Sequence, residues 1–348
     1  MVRIFYSCAE TVRRTLARAA GVRAFQESAR NHVHELSRVV TIAAVVSAGT
    51  AVQAAACGGP SAVVPAEVEQ IAPGVYVRRG VHAVMSAANG GAIANIGFVV
   101  GAEAVAVIDT GGSACDGQRL RAAIRARTPL PIRHVINTHV HPDHIFGNAA
   151  FDEDVPQFIG HHRLPRAMAA RGKHYLEANR RYMGEAALEG TRIVAPTLTV
   201  EDTLDIDLGG RVLHLVAHAT GHTDNDLTVF DGKSATLWTG DILFQGHLPV
   251  IDGSLKGWLK VMDELARIPA KKVVPGHGPA VVDWPEGLAP QRRYLTALAD
   301  DLRKLIAEGR GMNEAIEQAG HGERGDWHLF DEFNPRNATV GFSELEWE

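Results

Sequence analysis

Thr138-His139-Val140-His141-Pro142-Asp143-His144 sets three imidazoles and one carboxylate within six residues, directly after the apolar pair Val135-Ile136, where a strand is expected to end. On extended backbone His139 and His141, two apart, project to the same side, while Asp143 and His144 follow Pro142 on a chain that has turned. One loop can therefore serve two adjacent sites. Neutral imidazole and carboxylate are ligands of the borderline divalent metals, zinc above all. A chance group of exposed histidines is the blander account, but a cluster this dense at a strand end has few structural uses.

The rest of the chain narrows the setting. With 348 residues and 46% hydrophobic content it can bury a large core without staples. A formal charge of -5, with no basic run interleaved with aromatics, argues against nucleic acid as a partner and leaves a small-molecule substrate. The three cysteines, Cys8, Cys57 and Cys115, are far apart and form no Cys-x-x-Cys pair, so no disulfide framework is expected. Histidine is the anomaly, with seventeen copies.

Residues 1–57 read as a leader. Arg38 precedes an apolar or small run from Val39 to Val52, too short to span a bilayer comfortably and closed by Gln53-Ala54-Ala55-Ala56-Cys57, which is the layout of an export signal. The segment before it is long for such a leader, so the expected start lies downstream of Met1. Cys57, after three alanines and before Gly58-Gly59, is also a candidate lipid-attachment site. A periplasmic location follows, with or without a membrane anchor. Residues 58–67 read as a linker, 68–284 as the folded domain, and 285–348 as a helical extension packed on it.

Within the domain, Val75–Val77, Ile96–Val100 and Val105–Ile108 are short β-branched runs punctuated by glycine and proline. Gly117–Arg127 is an amphipathic helix, and Ile132–Asn137 returns to strand and delivers the opening motif. His161–Gly190 is mostly helical in pattern, and its arginines suit a solvated face better than an anionic substrate. Short strands follow at Thr203–Ile206, Val212–Val216, Leu227–Phe230 and Ala235–Trp238. A helix over Leu255–Ile268, a strand over Lys272–Val274 and a helix over Pro290–Ala307 complete a layered α/β domain. His214, inside a strand, is expected to be packed, and His247 to touch substrate.

Three later strand ends carry a further metal-compatible residue each: His222 in Gly221-His222-Thr223, Asp241 in Gly240-Asp241, and His277 in Pro275-Gly276-His277-Gly278. His218, four residues before His222, competes with it as a ligand, and His222 is the one that sits just before the next strand. The order His-x-His-x-Asp-His, Gly-His-Thr, Gly-Asp, Pro-Gly-His-Gly resembles the metallo-β-lactamase-fold hydrolases over about Val68–Trp284. That resemblance implies a four-layer αβ/βα sandwich with a metal site at the edge of its two sheets. It implies that His139, His141 and His222 bind one zinc ion, Asp143, His144 and His277 a second, and that Asp241 bridges them. It also implies a metal-bridging hydroxide, oriented by Asp143 as the catalytic residue, since bound water is acidified from about 16 towards about 7. Iron or manganese is the alternative metal.

A narrower resemblance rests on Asn95–Phe98, Thr138–Asn148, His222–Asp226, Gly240–Trp258 and Glu344–Glu348. These stretches are similar to the exported quinoprotein relay system zinc metallohydrolases, related to the SoxH-type proteins. The resemblance implies association with a periplasmic quinoprotein dehydrogenase or a sulfur-oxidation system. The expected activity is hydrolysis of an ester, thioester or sulfur-containing small molecule. The alternatives are a mononuclear iron enzyme like the persulfide dioxygenases, a weak β-lactamase or lactonase, and a non-hydrolytic partner of a quinoprotein.

Overall fold

The computed structural model describes Cys57 and residues 63–348. The apolar run 39–52 and most of the leader and linker lie outside the described residues. The first sheet has seven strands in chain order: β1 (Glu69–Ala72), β2 (Val75–Arg78), β3 (Ile96–Val100), β4 (Val105–Ile108), β5 (Ile132–Ile136), β6 (Gln157–His161) and β7 (Leu198–Val200). The hairpins from β1 to β4 are antiparallel, and β4 to β7 pair in parallel. Crossovers on one side carry α1 (Ala114–Arg125), the short α2 (Pro142–Ile145) and α3 (Leu164–Met183).

The second sheet runs β12-β11-β10-β9-β8, from β8 (Thr203–Asp207), β9 (Val212–Ala217), β10 (Leu227–Asp231), β11 (Thr236–Phe244) and β12 (Lys272–His277). It is covered by α4 (Leu255–Leu265), α5 (Ala289–Ala307), α6 (Met312–Gln318) and α7 (Phe330–Leu345).

Side-chain alternation explains why the layers stack as they do. Along β4, Val105 and Val107 join Leu120 and Ile124 of α1, while Ala106 and Ile108 face the other way and join Leu213, Leu215 and Trp238 of the opposite sheet. On the second sheet Leu237 and Val273 pack under Trp258 and Leu295 of α4 and α5, whereas their neighbours Trp238 and Val274 enter the space between the sheets. Each sheet is thus apolar on both faces, and the result is helix, sheet, sheet, helix. Arg211, at the β8–β9 turn, ties the sheets at one end. It pairs with buried Asp231 and donates from one nitrogen to the carbonyls of Pro73 and Val100, both at 2.9 Å.

Several expectations are corrected. Cys57 and Cys115 are joined by a disulfide with Cα atoms 5.4 Å apart, because the chain ahead of β1 returns to the start of α1. β11 does not end near Trp238: it runs through Asp241 to Phe244, with its register against β12 shifted on either side of Gly240. His214 is not packed; it sits on the solvent face of β9 and pairs with Asp205 on β8. β1, β7, α6 and α7 were not resolved as separate elements by the sequence pattern.

Candidate metal centre

All seven sequence-selected residues meet at one edge of the two sheets. β5 delivers His139 and His141 on the chain leaving it, and α2, opened by Pro142, turns Asp143 and His144 inward. The β9–β10 loop brings His222, β11 brings Asp241, and the end of β12 brings His277. The side chains form two groups that could hold a metal ion: His139, His141, His222 and Asp241, and Asp143, His144 and His277.

In the first group His141 Nδ1 lies 3.1 Å from His139 Nε2 and 2.9 Å from His222 Nε2. Asp241 Oδ2 is 3.6 Å from His139 and 3.5 Å from His222. In the second, His277 Nε2 is 3.3 Å and His144 Nε2 3.7 Å from Asp143 Oδ2. Asp241 reaches this group as well, with Oδ2 at 3.4 Å from His277 and Oδ1 at 3.1 Å from His144. Ligand atoms sharing one tetrahedral zinc at bonds of about 2.0–2.1 Å sit roughly 3.3 Å apart, so the spacing fits.

The opposite nitrogens say which lone pairs face inward. His222 Nδ1 donates to the Val250 carbonyl at 2.7 Å, and His277 Nδ1 to the Ile93 carbonyl at 3.1 Å. His144 Nδ1 bonds Asp109 at 2.8 Å, and His141 Nε2 bonds Asp252 at 3.1 Å. His139 Nδ1 donates to Thr138 Oγ1, which in turn donates to Asp109 at 2.7 Å. With each outer nitrogen committed, the inner one presents a lone pair, the arrangement that metal-ligating histidines show. Buried His144 Nε2 and Asp241 Oδ1 have no hydrogen-bond partner, although each faces the other. Buried polar atoms left this way require a cation or a proton between them.

Two glycines make the convergence sterically feasible. Gly240 has φ +51°, and a Cβ there would stand 2.6 Å from the Thr138 side chain. At Gly276 a Cβ would fall 1.9 Å from Asp241 Oδ1, so no other residue leaves room for that carboxylate.

The electrostatics follow from burying three carboxylates among imidazoles. Burial pushes His139 well down and His222 to about 3, so both stay neutral. Burial also works against charge on His144 and His277. There the surrounding carboxylates win: Asp241, Asp109 and Asp143 raise His144, and Asp241 with Asp143 raises His277 to about 9. Burial would lift Asp143 and Asp241, yet His144 and His277 bring Asp143 to about 2, and His277, His144 and His139 hold Asp241 well below the carboxylate range. Without ions, protons on these two histidines balance the carboxylates.

An entering cation must displace them, so zinc affinity should climb as pH rises from 7 towards 9. The slope expected is roughly tenfold per pH unit for each proton released, flattening above the His277 transition. Competition titration with a chromophoric chelator at several pH values checks this, and a flat profile would contradict it. For the metal-free protein the sign is the reverse. A raised histidine stabilises fully below its unfolded value of 6.5, and that contribution disappears as pH passes 9.

Sequence reasoning missed two supporting carboxylates. Asp109, at the end of β4 with φ 55°, accepts from Thr138 N, Thr138 Oγ1 and His144, and so positions ligands of both groups. The signal was an aspartate ending a strand before Thr110-Gly111-Gly112. Asp252 accepts from His141, from Arg171 of α3 and from Arg336 of α7. His218, the rejected competitor, stays outside both groups and bonds Thr228 at 2.8 Å.

A cavity of about 440 Å³ opens over the centre. Its floor is His141, Asp143, His222, Asp241 and His277, and His247 lines the cavity beside them. No serine, threonine or cysteine lines it among the described residues.

Comparison with known proteins gives the family context. The family model described as Metallo-beta-lactamase superfamily matches residues 89–277. A linear primary-alkylsulfatase from Pseudomonas sp. (strain ATCC 19151) is 25% identical over 254 residues, covering 62% of this chain and 48% of that protein. The chain thus spans about half the length of that relative. An acyl-coenzyme A thioesterase from Homo sapiens is 29% identical over 220 residues, covering 53% of this chain and 72% of the relative. Among solved structures, a metallo-beta-lactamase from Pontibacter korlensis aligns with a TM-score of 0.54 at 21% identity, covering 66% of this chain and 98% of that one. One from Hirschia baltica aligns at 0.52 and 20%, covering 67% and 98%. These two speak for the fold alone.

Proposed function

Because the chain belongs to the metallo-beta-lactamase superfamily, we propose that it is an exported dinuclear zinc hydrolase acting on an ester, thioester or sulfur-containing small molecule. The observation that carries this reading is the Asp241 carboxylate, within 3.1–3.6 Å of nitrogens from both ligand groups. His139, His141 and His222 would hold one ion, Asp143, His144 and His277 the other, with Asp241 shared. When bound, such a pair supplies Lewis acidity to the scissile group and an acidified water at neutral pH.

The chain supplies the remainder. Asp143, kept ionised and lining the cavity, accepts a hydrogen bond from the attacking water and orients it. With no serine, threonine or cysteine in the cavity wall among the described residues, water is the nucleophile the site offers. The sulfatase and thioesterase relatives support an ester-type or thioester-type bond. Export is supported by the apolar run 39–52 and by the Cys57–Cys115 bond, which an oxidising compartment would preserve. A periplasmic quinoprotein dehydrogenase or sulfur-oxidation system is the partner proposed, on the resemblance of Gly240–Trp258 and Glu344–Glu348.

Metal analysis of protein purified from its native compartment, joined to a screen of thioesters, sulfate esters and lactones, tests this. About two zinc ions per chain are expected, with turnover lost on chelation and restored by zinc. One iron per chain with oxygen consumption would replace the reading by the persulfide-dioxygenase type. A native product that retains Met1 and has reduced cysteines would remove export.

A further inference from the structure

We infer that α7 of the C-terminal extension is the specificity wall of the cavity, and that it recognises an unbranched aliphatic arm of the substrate; this rests on the hydrolase reading. Every metal-ligand candidate lies within residues 89–277, but part of the cavity wall does not. Val84 and Met85 come from the loop ahead of that span, and Phe333 and Arg336 come from α7, beyond it. The parts that differ from the shared scaffold are therefore those that would touch the non-reacting part of a substrate.

Val84, Met85 and Phe333 give the wall an apolar stretch above the charged floor, flanked on α7 by Glu332 and Arg336. Phe333 stacks on His247 at 5.3 Å between ring centroids, and His247 lies 5.0 Å from the ring of His277, so Phe333 stands one ring away from the reacting end. Met85, Tyr175 and Tyr182 continue this surface outward. At the lip, Val84 and Tyr182 are 45% and 73% exposed, a cost in water that a covering ligand would remove. Arg336, the one lysine or arginine lining the cavity among the described residues, is already bound to Asp252 at 2.6 Å, and Glu332 lines the cavity from the same helix. The cavity therefore offers no spare positive charge to an anionic arm, and a hydrocarbon chain joined to a polar scissile group matches both ends.

The wall is also rigid. Asn337 accepts from Ile251 N at 2.8 Å and donates to the Pro249 carbonyl at 2.7 Å. Glu344 caps the start of α4, accepting from Ser254 Oγ at 2.7 Å and Leu255 N at 2.6 Å. A surface held this way selects by shape without an ordering cost on binding.

The test uses zinc-loaded full-length protein and a series of p-nitrophenyl esters and matching thioesters from acetyl to dodecanoyl. For wild type, kcat/KM should rise roughly fourfold per added methylene until the cavity is filled. Phe333→Ala should lose at least about tenfold more on the octanoyl than on the acetyl compound, mainly in KM, with Phe333→Leu recovering part of it and metal content unchanged. Tyr182→Ser, at an exposed position that does not endanger folding, should shorten the preferred chain. Binding of octan-1-ol against butan-1-ol, measured calorimetrically with and without zinc, reads the wall without turnover. If no ester, thioester, alkyl sulfate or lactone is cleaved but octan-1-ol binding depends on Phe333, the hydrolase reading fails and the wall stands. If cleavage is seen with no chain-length slope, or both variants lower all substrates equally, the wall falls. A dimer that Tyr182→Ser abolishes, with no octan-1-ol binding, would equally overturn it, making the lip an interface between copies.

Discussion

Asp241→Asn will bind about one metal ion per chain in place of two and lose at least about a thousandfold in turnover. The carboxylate meets His144 through one oxygen and His139, His222 and His277 through the other. Two dications a few ångströms apart repel strongly, and a single anion between them lowers that repulsion, which a neutral amide of the same shape cannot do. The competing role, orienting an imidazole by accepting its N–H, is already filled by other acceptors: Val250 O for His222, Ile93 O for His277 and Asp109 for His144. The nitrogens facing Asp241 are therefore the ones left for metal. Metal content and kcat on the same preparation decide the matter. Two tightly held ions and near-normal turnover in the mutant would end the shared-ligand assignment.

The second large effect separates His222 from its neighbour. His222→Ala should strip or weaken the first ion and lower turnover by about a thousandfold, since its Nε2 is one of three nitrogens that meet within 3.1 Å contacts. His218→Ala should keep both ions. It loses a buried bond to Thr228 and some packing, worth about 1–3 kcal/mol of stability, which thermal unfolding would register. The opposite pattern would mean that the β9–β10 loop delivers a different imidazole.

Why these two histidines were separable from sequence, and others not, is a matter of range. The ligand motifs are local: a strand runs out, a glycine or proline turns the chain, and the donor follows at once, so all seven could be read in order. The strands β3, β4, β5 and β12 were legible for the same reason, as short apolar runs bounded by turn residues. Features made by distant partners were not. Asp109 and Asp252 act through hydrogen bonds to residues 35 and 111 positions away. The Cys57–Cys115 bond spans 58 residues. β11 passes through Gly240 because β12 shifts register to accommodate it, and a glycine viewed alone reads as an end. His214 was misplaced because a β-branched run with one polar member looks buried on both sides, whereas only alternate positions of β9 face inward. α7 carries Pro335 within its span and few local helix signals; it is held by Asn337 and Glu344 reaching a loop some ninety residues earlier.

That loop, residues 249–254, has a bearing on the order of events during biosynthesis. It holds the carbonyl that fixes His222 and the carboxylate that fixes His141, and it is itself fastened by Arg336, Asn337 and Glu344. A chain emerging from the ribosome has exposed all seven donors some sixty residues before the helix that sets two of them has been made. Until that helix docks, the nascent site is a set of loosely directed imidazoles with little power to retain or discriminate ions. Ion selection is thereby deferred to the finished polypeptide, and for an exported enzyme it would take place against the metal pool of the compartment where folding completes, not that of the cytoplasm where the motif was translated.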